Sequence, residues 1–460
     1  MRPHRHREFW NLAHRWVGLA TAAFLVIAGI TGSLLAFNHE LDELLNPDLL
    51  LVERRGAPLL GIDELARKAE AAIPNAVATG MALGTAGDRA ATVTVEARVD
   101  TSSGAPLSLD VNEVFLDPYD GTLLGGRMYG AFRLDAPHIM PFLYGFHYSL
   151  HLPGKWGLWL MGGIAILWLV DNFVGAYLTF PKRAPGGIES AFVGPRRAWL
   201  ERWRPAWLIK LNASPYRINF DMHRAGGLWL WLVLGMLALS SIYLNLANEI
   251  FNPIVSQFSK VTPYPTRAAA QQQVTTPISF SAAVDAAKAQ LPATARDLQP
   301  YFMVYNSERG IYRVAFRSSS AHGGWFGIRF ENIFLDGGDG TVRARWGTES
   351  GTTGDHFNAL MLPIHSGQIL ALPGRMLICL AGLMTAMLAV TGIVIWFRKR
   401  TARSARRVQR KQLPLSRPFP SVLRKRRIAR RVFGWTSACR GSGRRDCQEL
   451  ASPIYGDHVC

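Results

Sequence analysis

The stretch HRWVGLATAAFLVIAGITGSLLAF, residues 14–37, carries no charged side chain after Arg15. A helix needs about 20 mostly apolar residues to cross the hydrocarbon core of a bilayer, so this run predicts a membrane-spanning helix over residues 17–37. The acidic sequence NHELDEL follows it, where a removable signal peptide would have a small-residue cleavage site. The run therefore predicts a permanent membrane anchor.

Three further apolar runs have the same character. They cover residues 156–180, with Asp171 as the single acidic side chain, residues 226–246 and residues 376–397. A helix is the structure that satisfies its own backbone hydrogen bonds inside a bilayer, so each run predicts one more span. The sequence therefore predicts a bundle of four membrane helices.

Basic residues flank these runs unevenly. The segment after the fourth run, residues 398–460, holds 18 Lys and Arg residues against three acidic ones. Because short basic flanks stay in the cytoplasm, we expect both termini and the 184–222 loop there, with the two long intervening segments in a bacterial periplasm. The tail accounts for most of the net charge of +18, and it favours contact with anionic membrane lipid over nucleic-acid binding.

The chain also contains an internal repeat. HRWVGL at His14 corresponds to HRAGGL at His223, and NEVFLDPYDGTLLGGR at 112–127 corresponds to ENIFLDGGDGTVRARW at 331–346. Each half has the order helix, outer segment, helix. Two spans per half give both copies the same orientation, so the halves are expected to be related by a pseudo-twofold axis along the membrane normal.

The outer segments have the pattern of small α+β domains. Each begins with an amphipathic helix, at 61–74 and 278–292, and continues with alternating strands and an Asp-Gly hairpin turn. We therefore expect an α-helical bundle of four spans carrying two separate α+β domains. The predicted boundaries are 1–47 (first helix), 48–140 (first outer domain), 141–183 (second helix), 184–222 (cytoplasmic loop), 223–253 (third helix), 254–360 (second outer domain), 361–400 (fourth helix) and 401–460 (basic, disordered cytoplasmic tail).

Histidines stand at matching positions of the two halves. His14 and His223 open the first and third spans, whereas His147 and His151 precede the second span and His365 precedes the fourth. Ionisable side chains inside a membrane bundle are costly and indicate function, and imidazole is a common axial ligand of haem iron. We predict two b-type haems, one bound by His14 and His223, the other by His365 with either His147 or His151. Each histidine taken alone is equally compatible with an interfacial polar residue.

The combination of these motifs resembles the PepSY-associated membrane-helix family. The resemblance is carried by HRWVGL, FLDPYDGT with FLDGGDGT, LHLPGKWG with LPIHSG, and TGIVIWFRKR, and it covers residues 8–400. It implies a bacterial inner-membrane protein with PepSY-like periplasmic domains, similar to dihaem ferric-siderophore reductases. Its partners would then be a ferric siderophore and a cytoplasmic or quinol electron donor.

The alternative is a membrane-anchored binding or regulatory protein without enzymatic activity. In that case the outer domains bind a peptide, protein or envelope ligand, and the spans serve as anchors. The two hypotheses differ in whether the protein contains haem.

Overall fold

A computed structural model describes residues 3–83, 87–100, 102–182, 195–266, 277–318 and 329–412. The helices are α1 (Pro3–Leu35), α2 (Asn38–Leu45), α3 (Pro47–Leu50), α4 (Ile62–Ala72), α5 (Ala136–Ser149), α6 (Trp156–Thr179), α7 (Pro195–Trp203), α8 (Pro215–Trp229), α9 (Trp231–Leu246), α10 (Asn252–Val255), α11 (Phe280–Ala289), α12 (Thr353–Ser366) and α13 (Ala371–Gln412). The strands are β1 (Ala76–Ala82), β2 (Ala91–Ala97), β3 (Glu113–Leu116), β4 (Leu123–Arg127), β5 (Gln299–Asn306), β6 (Ile311–Arg317), β7 (Phe330–Asp336) and β8 (Val342–Gly347).

Four helical stretches of the described residues are long and apolar enough to cross a membrane. They are His6–Leu35, Trp156–Thr179, Trp231–Val255 and Gln368–Ala405. This confirms the predicted number and approximate position of the spans. The strands follow the first and third spans and precede the second and fourth, so they lie on one side of the membrane, here called the sheet side. The other side is called the tail side.

The third span is less regular than its sequence suggested. Leu230, with φ of −109° and ψ of 12°, separates α8 from α9, and a π-helix over Ala247–Phe251 joins α9 to α10. Pro253 follows at the start of α10, where its missing N–H removes a donor from the helical ladder. A widened turn just before this proline accommodates the lost hydrogen bond.

The strands form one antiparallel sheet in the order β4-β3-β2-β1-β5-β6-β7-β8. Each half of the chain contributes four neighbouring strands, and β1 pairs with β5 at the centre, where Met81 lies opposite Met303. The sequence analysis expected two separate outer domains, but the structure joins them through this pair. An unpaired strand edge exposes a row of backbone donors and acceptors. In the β1–β5 pair, the edge strand of each half forms its backbone hydrogen bonds with the edge strand of the other half.

Helices α4 and α11 cover one face of the sheet. Leu65 and Ala69 of α4 and Val284 and Ala287 of α11 are buried against the strands in a single hydrophobic core. Burial of apolar surface contributes about 25 cal/mol per Å², so this shared core helps the strand pairing to hold the two halves together. Both helices lie where the sequence predicted them.

The two Asp-Gly hairpins were also predicted correctly. In the first, the Asp117 N–H donates to the Thr122 carbonyl, and Gly121 has φ of +73°. In the second, the Asp336 N–H donates to the Thr341 carbonyl, and Gly340 has φ of +72°. Glycine adopts this left-handed conformation without steric cost, which is why it follows aspartate in both turns.

Charged groups join the sheet to the membrane helices. Arg127 at the end of β4 forms ion pairs with Asp42 of α2 at 2.8 Å and with Glu113 of β3 at 2.7 Å. Arg375 of α13 pairs with Glu40 of α2, and this hydrogen bond lowers the pKa of the Glu40 carboxyl. These contacts fix the sheet relative to the ends of the spans on the sheet side.

Several predictions fall outside the described residues. The tail predicted to be disordered covers residues 401–460, of which residues 401–412 belong to α13 and the rest lie outside the described residues. Part of the predicted cytoplasmic loop lies in residues 183–194, which are also outside them. The boundaries of the eight predicted segments therefore remain predictions, apart from the helices and strands given above.

Candidate functional site

His14 of α1 and His223 of α8 face each other at the tail-side end of the bundle. Their ring centroids are 6.2 Å apart, and the ring planes are inclined by 54°. These are the two residues that the repeated motif predicted to meet near the pseudo-twofold axis. The structure places them together, and they form what is called below the tail-side pair.

Each ring of the tail-side pair is held through its Nδ1 atom. His14 Nδ1 lies 2.9 Å from Oδ1 of Asp171 on α6. His223 Nδ1 lies 2.9 Å from the carbonyl oxygen of Leu388 and 3.1 Å from the hydroxyl of Thr391, both on α13. A hydrogen bond at one imidazole nitrogen sets the orientation of the ring and leaves the other nitrogen for a ligand.

A second pair lies towards the sheet side. His147 of α5 and His365 of α12 have ring centroids 6.1 Å apart, with planes inclined by 61°. His147 Nδ1 lies 2.9 Å from the hydroxyl of Thr31 on α1, and His365 Nδ1 lies 3.0 Å from the hydroxyl of Ser240 on α9. These two histidines are called below the sheet-side pair.

The acceptors of these hydrogen bonds determine the protonation of the rings. Carboxylate and carbonyl oxygens can only accept, so Nδ1 carries the proton in both rings of the tail-side pair. The Thr31 hydroxyl donates its own proton to the Ile27 carbonyl at 2.7 Å, and the Ser240 hydroxyl donates to the Met236 carbonyl at 2.8 Å. Both hydroxyls therefore accept from an imidazole N–H, and Nδ1 is protonated in the sheet-side pair as well.

The consequence is a free lone pair on each Nε2 atom. Within the described part of the chain, none of the four Nε2 atoms has a hydrogen-bond donor. Each pair thus offers two acceptor atoms, one on each of two rings whose centroids are 6.2 Å apart in the tail-side pair and 6.1 Å apart in the sheet-side pair. Neutral imidazole with a free Nε2 lone pair is the form in which histidine binds metals.

His151 does not join either pair. Its Nε2 lies 2.8 Å from the Phe142 carbonyl oxygen, to which it donates, and its ring stacks on the Phe142 ring at 4.7 Å. Its backbone φ of +54° follows the left-handed end of α5 and turns the side chain away from His365. Of the two candidates that the sequence left open, the structure brings His147 to His365.

Glycines leave space beside three of the four rings. A Cβ atom on Gly32 would lie 2.9 Å from Cε1 of His147. The equivalent distances are 3.4 Å from Gly175 to His14 and 3.2 Å from Gly392 to His223. A side chain at Gly32 or Gly392 would press on the adjacent ring, whereas at Gly175 it would make ordinary van der Waals contact with His14. The first two glycines therefore allow the close approach of His147 and His223.

Four anchoring residues, Thr31, Asp171, Ser240 and Thr391, were not predicted as part of the site. A signal for two of them was present, because Thr31 follows His14 by the same number of residues as Ser240 follows His223. Asp171 was visible as the single acidic residue of its span. Its partner could not be derived from the sequence, since the contact depends on how α1 packs on α6.

Each pair offers two protein ligands and no more. Among the described residues there is no group of three or more His, Cys, Asp or Glu side chains that could hold a metal ion. His138 lies in the outer segment, where its Nδ1 is 2.7 Å from Asp135 and its Nε2 accepts from the Met128 N–H. A metal centre at either pair would therefore take its remaining ligands from a cofactor.

The sequence was compared with known proteins. The model of a family described as the PepSY-associated TM region matches residues 12–399. No curated protein matches the chain. The family match covers both histidine pairs, the sheet, the second and third candidate spans and most of the first and fourth.

Proposed function

We propose that this protein, which belongs to the PepSY-associated TM region family, transfers electrons across a membrane with two b-type haems. The tail-side pair, His14 and His223, would hold one haem iron, and the sheet-side pair, His147 and His365, the other. The observation that carries the proposal is the arrangement of four histidines as two facing pairs, each ring fixed through Nδ1 and free at Nε2.

The spacing of the rings fits two imidazoles that would hold one metal ion between them. Two imidazoles that bind one metal ion from opposite sides, each through a bond of about 2.0 Å, have ring centres about 6.3 Å apart. The observed distances are 6.2 Å and 6.1 Å. A haem, when bound, would supply the iron ligands that the protein does not provide, and the histidines of each pair would hold it through Nε2.

The positions of the pairs suit transfer across the hydrocarbon core. His14 and Thr31, which holds His147, lie 17 residues apart on the same helix, which is about 25 Å along its axis at 1.5 Å per residue. The hydrocarbon core of a bilayer is about 30 Å thick, so the two pairs would lie near its opposite faces. When bound, each haem would supply a one-electron iron couple, and the chain's own residues set its position and its access to water.

The proposed acceptor is a ferric siderophore on the sheet side. It is supported by the family resemblance to ferric-siderophore reductases, and the outer sheet offers a place for a small molecule. A cavity of about 280 Å³ lies between α4, α11 and the central strands, with Asp285 and Lys288 in its lining. One electron would reduce Fe(III) to Fe(II), which oxygen ligands bind less strongly. A soluble cytoplasmic reductase on the tail side would supply that electron, or a quinol would supply two electrons in succession to two ferric chelates and release two protons.

The proposed orientation follows the distribution of basic residues. Near its end on the tail side, α13 carries Arg398, Lys399 and Arg400, and α1 carries Arg7 and Arg15 on the same side. This pattern supports a cytoplasmic tail side and a periplasmic sheet side in a bacterial inner membrane.

An absorption spectrum of the purified full-length protein before and after dithionite tests the proposal. We expect the sharp α-band of a reduced bis-histidine haem and two haems per chain by pyridine haemochrome assay. A colourless protein that is folded and monodisperse would contradict the proposal. That outcome would favour the alternative, a binding protein without haem, for which the cavity between α4 and α11 would be the first site to test.

A further inference from the structure

One of the four histidines has a different kind of partner from the other three. His14 donates to a carboxylate, that of Asp171, whereas His223 donates to the Leu388 carbonyl. Thr31 and Ser240 provide neutral hydroxyls for the sheet-side pair. The two halves of the chain therefore differ in the group that accepts the hydrogen bond from the tail-side histidine, which is a carboxylate for His14 and a backbone carbonyl for His223.

The positions of Asp171 and Leu388 are equivalent in the two halves. Gly175 follows Asp171 by four residues and lies against His14, and Gly392 follows Leu388 by four residues and lies against His223. The helix α13 uses a backbone carbonyl where α6 uses a side chain. Orienting the ring therefore does not require an acidic residue, because His223 is oriented without one.

A carboxylate at this place is costly for the fold. Its side chain is only 13% exposed, in a helix that crosses the membrane. An acidic residue at membrane depth destabilises the inserted helix, so its presence indicates a function beyond packing. No Lys or Arg among the described residues forms an ion pair with Asp171, and its partner is His14.

We infer that Asp171 is a positioning residue that makes the tail-side haem the lower-potential one of the two, an inference that rests on the proposed function. A carboxylate that accepts from Nδ1–H increases the electron donation of Nε2 to iron and places a negative charge near the metal. Both effects stabilise Fe(III) over Fe(II) and lower the reduction potential. The neutral hydroxyls of Thr31 and Ser240 have no such effect on the sheet-side pair.

Other charges near the tail-side pair act in the opposite direction but from further away. Lys399 interacts with His223 through space, and Arg15 follows His14 directly in the chain. A positive charge raises the potential of a nearby iron. Asp171 is in direct hydrogen-bond contact with a ligand, and because Coulomb interactions weaken with distance, its effect dominates. The resulting order of potentials favours electron transfer from the tail side towards the sheet side.

The test is a spectroelectrochemical titration of the full-length protein with both haems bound. We expect two separate one-electron steps in the wild type. Asp171→Asn keeps a side chain that can accept from His14 but removes the charge. This variant should change the equilibrium constant of the lower-potential step by at least ten-fold, which raises its midpoint potential by about 59 mV for one electron. The midpoint potential of the other step should stay unchanged.

Two further variants complete the test. Thr385→Val removes a buried hydroxyl of α13 that donates to the Ala381 carbonyl, and it should shift neither midpoint potential by a comparable amount. Leu388→Asp places a carboxylate at the equivalent position of α13 and should lower the tail-side midpoint further, which gives a result even if Asp171→Asn loses a haem. The inference is overturned if both midpoint potentials are unchanged in Asp171→Asn. If Asp171→Asn binds only one haem, unchanged midpoint potentials in Leu388→Asp overturn it instead. Either result leaves the dihaem proposal intact. Absence of haem from the wild type contradicts the proposed function itself.

Discussion

Thr31 and Ser240 occupy equivalent positions in the two halves of the chain and hold the two rings of one histidine pair. Each follows its repeat histidine, His14 or His223, by the same number of residues, and each accepts from Nδ1 of a histidine on another helix. Both hydroxyls also donate to a carbonyl one turn earlier in their own helix. Both copies of the repeat thus have a hydroxyl at the position where a histidine of the sheet-side pair needs a hydrogen-bond acceptor.

Replacing these hydroxyls should weaken haem binding at the sheet-side pair. Thr31→Val and Ser240→Ala each remove the acceptor of one Nδ1–H and leave a donor unpaired in a poorly hydrated site. Loss of such an orienting hydrogen bond costs about 10- to 100-fold in metal affinity. We expect purified variants to contain closer to one haem than two per chain after extensive dilution, measured by pyridine haemochrome assay.

The matched control is Thr21→Val. Thr21 is a buried residue of the same helix whose hydroxyl donates to the Val17 carbonyl and has no histidine partner among the described residues. This variant should retain the wild-type haem content. Equal haem loss in Thr21→Val and Thr31→Val would mean that the effect comes from the helix and not from His147.

A methyl group at Gly32 should displace the sheet-side pair. Its Cβ atom would lie 2.9 Å from Cε1 of His147, closer than real Cβ atoms come to a neighbour. Overpacking of this kind costs about 1–3 kcal/mol, which the ring avoids by moving away from its ligating position. We expect Gly32→Ala to lose one haem, while Gly163→Ala, which meets open space, keeps both. Haem content and the reduced α-band measure the outcome.

The two histidines before the second span should differ in their importance. His147→Ala removes one of the facing rings and is expected to abolish one haem. His151→Ala removes a ring that donates to the Phe142 carbonyl and should keep both haems. Resonance Raman or absorption spectra of the two variants, side by side, distinguish them. Normal haem content in His147→Ala together with haem loss in His151→Ala would show that the assignment is wrong.

Arg127 should contribute strongly to the attachment of the sheet. Its side chain is 8% exposed and pairs with two carboxylates, Asp42 and Glu113. Removing one member of a buried ion pair leaves charge uncompensated and costs about 3–5 kcal/mol. We expect this loss of unfolding free energy in Arg127→Met, measured by titration with a denaturing detergent.

The control for this variant is Arg89→Met. Arg89 pairs with Glu43 at 2.7 Å, but its side chain is 53% exposed. Exposed ion pairs contribute about 0–1 kcal/mol, so this variant should unfold near the wild-type midpoint. Similar losses of unfolding free energy in both variants would show that the ion pairs of Arg127 contribute no more than an exposed ion pair does.

Some features of this protein follow from the sequence alone because they are local. Hydropathy over about 20 residues predicted the four spans, and amphipathic periodicity placed α4 and α11. The Asp-Gly turns depend on the backbone freedom of glycine, which is a property of the residue itself. The repeated motif also predicted that His14 and His223 would meet, since a duplicated helix repeats its geometry.

The tertiary structure decided what depends on contacts between distant segments. The joining of β1 to β5 into one sheet depends on two strand edges more than 200 residues apart, and no local pattern records which edge pairs with which. The choice of His147 over His151 depends on a left-handed turn at the end of α5. The carboxylate on His14 depends on how α1 packs on α6, because a hydrogen bond forms only where packing brings its two atoms together.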